Sequence, residues 1–293
     1  MLPLDYYCQQ SPITDPGDCA GLYDPLPDDI AGICRAAQGL IVHYAAPVHH
    51  PTPERMSEID CRYMTTMLKR ILELDDRPLT ETRSVEKRLV GCCRDITVLV
   101  VSILRHKGIP ARARYGTGTY FAAGYYNDHV ILEYWNGRRW VGVDSELSPA
   151  VIEHFNIRFD PLDVPDDQFL RGGAGWLMCR NGAADPDRFG LGPNSPLHGW
   201  EFIVTEMLLD LAALNRLEML CWDSWGLVEK SLDLSDEDKI FLDELARATL
   251  DESRSQEWAG LYEDERLRIP PVIESFSPAV KPENMPLKVQ LTF

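Results

Sequence analysis

No segment of this 293-residue chain approaches the roughly eighteen consecutive apolar residues that a membrane-crossing helix needs. Its opening, MLPLDYYCQQSPITDPGDC, has neither the basic stretch nor the apolar stretch of a secretory signal. Positive charge is scarce: 29 Lys and Arg stand against 46 Asp and Glu, a net charge of −17 spread along the chain. Partners rich in phosphate need a cationic patch, so no nucleic acid and no membrane is expected as partner. The expected location is the cytoplasm. Eight cysteines include no C-x-x-C pair and no histidine at zinc-finger spacing, which argues against a structural metal site. Without a secretory signal, a disulfide framework is not expected either. Gly116-Thr117-Gly118 is followed by no helix start at phosphate-loop spacing, and internal repeats and low-complexity tracts are absent. The expectation is a protein that works without metal or cofactor.

What is present suffices for a core, since 45% of residues are hydrophobic. The first 25 residues, rich in Pro, Asp and Gly, read as an extended lead-in with turns. Helical spacing of Ile30, Ile33, Cys34, Ala37, Leu40, Ile41 and Tyr44 predicts a helix from Pro27 to Tyr44. Met56, Ile59, Tyr63, Met67, Ile71 and Leu74 predict a second, from Glu54 to Leu74. A third begins at the doubled cysteine of GCCRD, residues 91–95. Ile96, Leu99, Val100, Ile103 and Leu104 form its apolar face, and Gly108 and Pro110 stop it. Extended segments follow at 110–116, 127–135 and 138–144, the last two joined by the hairpin signal Asn136-Gly137. Beyond Asp144 the chain is rich in Pro, Asp and Gly to about residue 198. Helices are then predicted near 199–221 and 236–250, and the closing PLKVQLTF alternates like an edge strand. Helices flanking a central antiparallel sheet make the expected class α+β.

A cysteine at a helix N-terminus has chemical meaning, because free N–H groups and the positive end of the dipole favour thiolate over thiol. The same N–H groups can receive an oxyanion. Successive residues of a first turn point about 100° apart, so only one of Cys92 and Cys93 should face a given partner. A nucleophilic thiol needs a base, and the base an orienting group. His129 and Asp144 each lie seven residues from a two-residue turn at Asn136-Gly137. That register predicts them as direct cross-strand partners, ~5 Å apart between Cβ atoms.

Together, GCCRD at 91–95, ILRHKGIPARARYG at 103–116, DHVILEYW at 128–135 and RRWVGVDSEL at 138–147 resemble the transglutaminase-like core of many bacterial proteins and of peptide N-glycanases. The resemblance spans about residues 85 to 147. It implies a papain-like Cys-His-Asp core, in which the helix carrying the cysteine packs on an antiparallel sheet, with additional N- and C-terminal helices. The family's G-x-C falls on Gly91 and Cys93 and so assigns the nucleophile to Cys93. Its H-x-x-x-E falls on His129 and Glu133, and its W-x-x-x-D on Trp140 and Asp144. The calcium sites and β-sandwich domains of animal tissue transglutaminases have no counterpart, so calcium-dependent cross-linking is not implied. For the second oxyanion donor of some relatives, Tyr63 and the Asn127 amide are the candidates.

The expected organisation is one compact domain: residues 1–84 as an N-terminal helical segment, 85–147 as the catalytic core, and 148–293 as a loop-rich and helical extension. A free cysteine is ordinarily a small buried hydrophobe, and Cys92 keeps that reading, with a vicinal disulfide to Cys93 as a conceivable brake. His49, His50, His106, His154 and His198 read as loop or surface residues. Arg94 and Asp95 read as salt-bridge formers. Arg112 and Arg114 alternate on one strand face, where they could neutralise a substrate carboxylate; a solvated face is the plainer reading. Asn127 and Trp222 complete the candidate substrate-binding set, core packing being the plainer role for Trp222 and Trp225. The expected reaction is hydrolysis of an amide or peptide-like bond in a small molecule or peptide, through a Cys93 acyl-enzyme. The alternatives are an acyltransferase or transamidase using an amine acceptor or a carrier-protein thioester docked on Arg83, Lys87 and Arg88, and a non-catalytic binding protein retaining the fold.

Overall fold

The computed structural model describes residues 4–46 and 50–293, so His49 lies outside the described residues. The lead-in is less extended than expected. Leu4–Cys8 and Gly17–Tyr23 form 3-10 turns that insert aromatic rings into the core. The Tyr7 hydroxyl donates to the Leu214 carbonyl at 2.9 Å, and the Tyr23 and Ser102 hydroxyls lie 3.0 Å apart. Helix α1 (Ile30–Leu40) starts at Asp29, whose carboxylate accepts the Gly32 N–H at 2.8 Å. It stops short of Tyr44 because the β-branched pair Ile41-Val42 becomes extended. Strand β1 (Ile41–His43) pairs in parallel with β2 (Leu89–Gly91), setting His43 opposite Gly91.

The helix predicted over 54–74 is broken into α2 (Pro53–Met56), a 3-10 turn at Ser57–Asp60, and α3 (Met64–Leu74). Cys61 and Tyr63 between them are extended. The Glu58 carboxylate is drawn away to Arg55, Arg70 and the Val90 N–H, the last at 2.9 Å. Tertiary partners outweigh the local periodicity here.

Helix α4 (Cys93–His106) is the centre of the molecule, with every residue from Cys93 to Arg105 buried. A helix buried on all sides is normally apolar on all sides. Here the exceptions are neutralised: Arg94 pairs with Asp95 and Arg105 with Glu218, each at 2.9 Å. The helix packs on β3 (Ala111–Gly118) and β4 (Tyr126–Trp135). With β5 (Trp140–Val143) and β6 (Phe169–Arg171) these form a sheet of order β5-β4-β3-β6, antiparallel throughout, and β7 (Phe189–Gly190) joins β4 in parallel at its Tyr126 end. Gly116 is required at the β3–β6 contact: a Cβ there would lie 2.1 Å from the Leu170 carbonyl oxygen.

Between and after these strands come α5 (Pro149–Phe155), α6 (Gly172–Arg180), α7 (Trp200–Leu214), α8 (Asp236–Leu250) and α9 (Glu257–Tyr262). Helix α7 ends well before residue 221, because Arg216 adopts a left-handed φ of 61°. Helix α8 covers the predicted span. The closing segment does form an edge strand, in a separate sheet of β8 (Asp223–Ser224), β9 (Val272–Ser275) and β10 (Leu287–Gln290) with β9 central. The class is mixed α+β. One apolar cluster runs through Tyr7, Leu99, Leu132, Leu211, Trp258 and Leu291, so all parts of the chain contribute to a continuous core. Among the described residues no helix is long and apolar enough to cross a membrane.

The β4–β5 hairpin departs from the predicted register. Trp135 faces Trp140 and Leu132 faces Val143, so the loop holds residues 136–139 instead of two residues. The Asn136 side-chain oxygen accepts the N–H groups of Arg138 and Arg139, both at 3.0 Å, a local arrangement that competes with the tight turn. Continued by one residue, this pairing sets Asp144 level with Ile131, two positions from His129. A slip of two preserves the face on which each side chain points, whereas a slip of one would invert it. His129 and Asp144 therefore meet diagonally.

Candidate active site

Gly91 allows the turn into α4, since a Cβ there would lie 2.9 Å from the Asp95 carboxylate and 3.0 Å from Ile41. Cys92 is the N-cap, extended at φ −131° and ψ −174°, and its N–H donates to Asp95 at 2.8 Å. Cys93 is the first helical residue. Because Cys92 lies outside the helical turn, the 100° separation does not apply to the pair. The sulfurs of Cys92, Cys93 and Cys221 all lie within 4.8 Å of one another. A second group also meets at Cys93, whose sulfur, a His43 ring nitrogen and a Glu146 carboxylate oxygen are mutually within 4.8 Å. The β1–β2 pairing brings His43 there.

His129 and Asp144 are brought together. The His129 Nε2 lies 2.8 Å from the Asp144 Oδ2, which also accepts the Tyr120 hydroxyl at 2.6 Å. The other Asp144 oxygen accepts the Glu146 N–H at 3.0 Å. Tyr120 and Phe121 stand edge-on to the imidazole, with ring centroids at 6.0 and 4.9 Å. The second imidazole nitrogen, Nδ1, is 4.0 Å from Glu146. The Glu146 carboxylate is thus the neighbour that Cys93 and His129 share. The site is closed, Cys93 being 6% and His129 2% exposed.

Burial pushes the His129 imidazolium down, but the charge and hydrogen bond of Asp144, with Glu146 and Asp128, outweigh it and raise the group to about 9. The three thiols are one coupled system. Hydrogen bonds from Cys221 and Cys93 hold Cys92 well below the ordinary thiol range against its burial, with help from His43 and Arg94. Cys93 also gains a lowering hydrogen bond with Cys221, yet its hydrogen bond to Cys92, its burial and the Cys92 and Glu146 charges drive it well upward. Cys221 is raised as well, first by its hydrogen bonds to Cys92 and Cys93. Within the cluster, hydrogen bonding therefore favours the thiolate at Cys92 over the thiolate at Cys93.

Two of the predicted binding residues are committed to internal ion pairs. Arg112 and Arg114 are each 1% exposed, neither solvated nor open to a substrate. Arg112 pairs with Glu133 and Glu252 and stacks on Trp140, and Arg114 pairs with Asp210 at 2.7 Å and Glu133 at 3.1 Å. Arg171 adds a third contact to Glu133, at 2.6 Å. The strand face read as solvated is instead covered, with carboxylates of β4 and α7 supplying the countercharge. Asn127 stands in β4 opposite Gly118 of β3 and beside Gly190 of β7. Trp222 packs beside Val42, Ile59 and Val90 and donates to Asp60 at 3.1 Å, while Trp225 is fully buried. The Tyr63 hydroxyl accepts the Thr292 N–H at 3.0 Å, which ties it to the C-terminal segment. Arg83 is 1% exposed and donates to four backbone carbonyls, so it cannot form part of a docking run. His50 and His154 are exposed, and His106 and His198 lie by Asp24 and Asp187. Sequence reasoning missed His43, Tyr120, Glu146 and Cys221. Only Glu146, two residues past Asp144, carried a local signal.

Residues 74–145 match the model of the transglutaminase-like superfamily. No curated protein matches the chain. Among solved structures, the chain is similar to one described as "a Putative Cysteine Protease from Cytophaga hutchinsonii", with 14% identity and a TM-score of 0.32. That match covers 48% of this chain and spans 40% of the other.

Proposed function

We propose that the transglutaminase-like domain makes this chain a cysteine enzyme that hydrolyses an amide or peptide-like bond through an acyl-enzyme on Cys93. The observation that carries this reading is the His129–Asp144 contact of 2.8 Å, with the free imidazole nitrogen turned toward the Glu146 carboxylate that also borders Cys93. Asp144 fixes the imidazole and stabilises its cation. The Cys93 S–H passes its proton to the Cys92 thiolate along their hydrogen bond, and the resulting Cys93 thiolate attacks the carbonyl carbon. The carbonyl electron pair moves to oxygen, beside a helix start whose first N–H groups have no intrahelical acceptor. Collapse expels the amine, which takes the His129 Nδ1 proton. Neutral His129 then takes a proton from water, hydroxide attacks the thioester, collapse releases the carboxylic acid and the Cys93 thiolate, and the Cys92 S–H returns its proton to Cys93, which restores the starting state. Closure of the site limits competing water until the amine has gone.

A second reading follows from the lowered Cys92 thiol: that sulfur is the nucleophile and Cys93 its hydrogen-bond donor. Wild type, Cys92→Ala and Cys93→Ala are mixed with amide, peptide and thioester substrates, quenched, and examined by intact mass and peptide mapping. The first reading requires an acyl adduct and turnover in wild type and Cys92→Ala, both lost in Cys93→Ala. The reverse pattern makes Cys92 the nucleophile. Acylation by thioesters alone points to acyl transfer in place of hydrolysis, and no adduct in any protein defeats the enzymatic reading.

A further inference from the structure

We propose that Cys92, Cys93 and Cys221 form a binding site for a thiophilic d10 cation, with Zn2+ as the representative ligand. Zinc holds thiolates at about 2.3 Å, which places the sulfurs of a tetrahedral site about 3.8 Å apart. The three sulfurs here already lie within 4.8 Å of one another, so a contraction of about 1 Å or less completes the set. They reach the site from two independently anchored elements. Cys92 and Cys93 open the fully buried helix α4. Cys221 lies in a segment held by Asp223, which pairs with Arg62 and accepts the Leu220 N–H at 3.0 Å and the Ser275 hydroxyl at 2.9 Å. This fixed geometry limits the ordering that binding must still impose.

The chemistry of the donors agrees. Three sulfur ligands select a soft or borderline cation over Mg2+ or Ca2+. A divalent ion would displace thiol protons as it binds, which couples its affinity to pH. His43 is not a ligand in this arrangement, because its Nδ1 accepts the Ala45 N–H at 3.0 Å and its other nitrogen therefore carries the proton. Glu146, bordering Cys93, or a water supplies the fourth position. An ion held there occupies the Cys93 sulfur. The binding claim does not rest on acyl transfer; the consequence that zinc silences the enzyme does.

The test uses the full chain, reduced and freed of metal. Cd2+ is titrated in while the thiolate-to-metal charge-transfer absorption is followed, and Zn2+ affinity is measured by competition with a chromophoric chelator. One ion per chain is expected, with proton release on binding in weak buffer. Cys221→Ser should weaken Zn2+ at least roughly 100-fold, more than loss of an outer-shell partner usually costs, whereas Cys179→Ser should leave it unchanged. As a measurement free of folding effects, wild type is alkylated with and without one equivalent of Zn2+ and mapped by mass. Protection should fall on Cys92, Cys93 and Cys221 together. Absence of a charge-transfer band at one equivalent, equal affinity in a folded Cys221→Ser protein, or protection that spares Cys221 each overturns the proposal. No hydrolysis by the metal-free protein, with metal binding intact, would count against the acyl-transfer reading alone.

Discussion

Substituting Asp144 by asparagine tests the electrostatics of the site at its strongest point. Asparagine keeps the shape and can still accept a hydrogen bond, but the negative charge is gone. In the native protein His129 titrates at about 9, against an ordinary value of 6.5. Burial acts in the opposite direction while Glu146 and Asp128 remain, so Asp144→Asn should bring His129 back toward 6.5. A shift of this size corresponds to about 3 kcal/mol of preference for the folded imidazolium. The sign follows from the direction. Because the folded value is raised, the stabilisation is complete below pH 6.5 and is lost as pH rises through 9. NMR titration of the His129 ring, assigned with a His129→Gln variant, measures the first effect. Urea unfolding of wild type and Asp144→Asn at pH 6 and at pH 9.5 measures the second. The stability gap between them should narrow by about 3 kcal/mol across that interval. If His129 in Asp144→Asn still titrates above 8, or if the gap does not change with pH, the assignment of the shift to Asp144 is wrong.

Two further outcomes concern the scaffold, beside the acyl-adduct and cadmium experiments already described. Glu133→Ala leaves the buried Arg112 and Arg114, and the partly buried Arg171, without their common carboxylate. It should cost about 3–5 kcal/mol in urea unfolding; a loss under 1 kcal/mol would mean that Glu252 and Asp210 suffice. Gly116→Ala forces a methyl group to within 2.1 Å of the Leu170 carbonyl. The β3–β6 pairing must then separate, at about 1–3 kcal/mol, visible as lost hydrogen-exchange protection at Phe169–Arg171; unchanged protection would refute that contact.

Local order was legible in the sequence because its causes are local. The apolar spacing of Ile96, Leu99, Val100 and Ile103, with Gly108 and Pro110 behind it, sufficed to place α4 and to put the doubled cysteine at its start. Alternation and the Asn136-Gly137 signal gave the hairpin, and the period of two kept His129 and Asp144 on one face although the loop is longer than the dipeptide suggested. Tertiary structure decided what depends on partners distant along the chain. Ile41-Val42-His43 fits a helical stripe until β2 offers it hydrogen bonds, and Arg112 and Arg114 look solvated until Glu133 and Asp210 cover them. Which sulfur holds the charge was beyond any motif. That depends on Cys221 arriving from beyond α7 to donate a hydrogen bond, on the depth of burial, and on the charges of Arg94 and Glu146. The sequence by itself determined that a cysteine would stand at the head of a buried helix near a histidine and an aspartate. Only the folded chain, by setting the distances between charges in a low-dielectric interior, decided how readily that cysteine ionises.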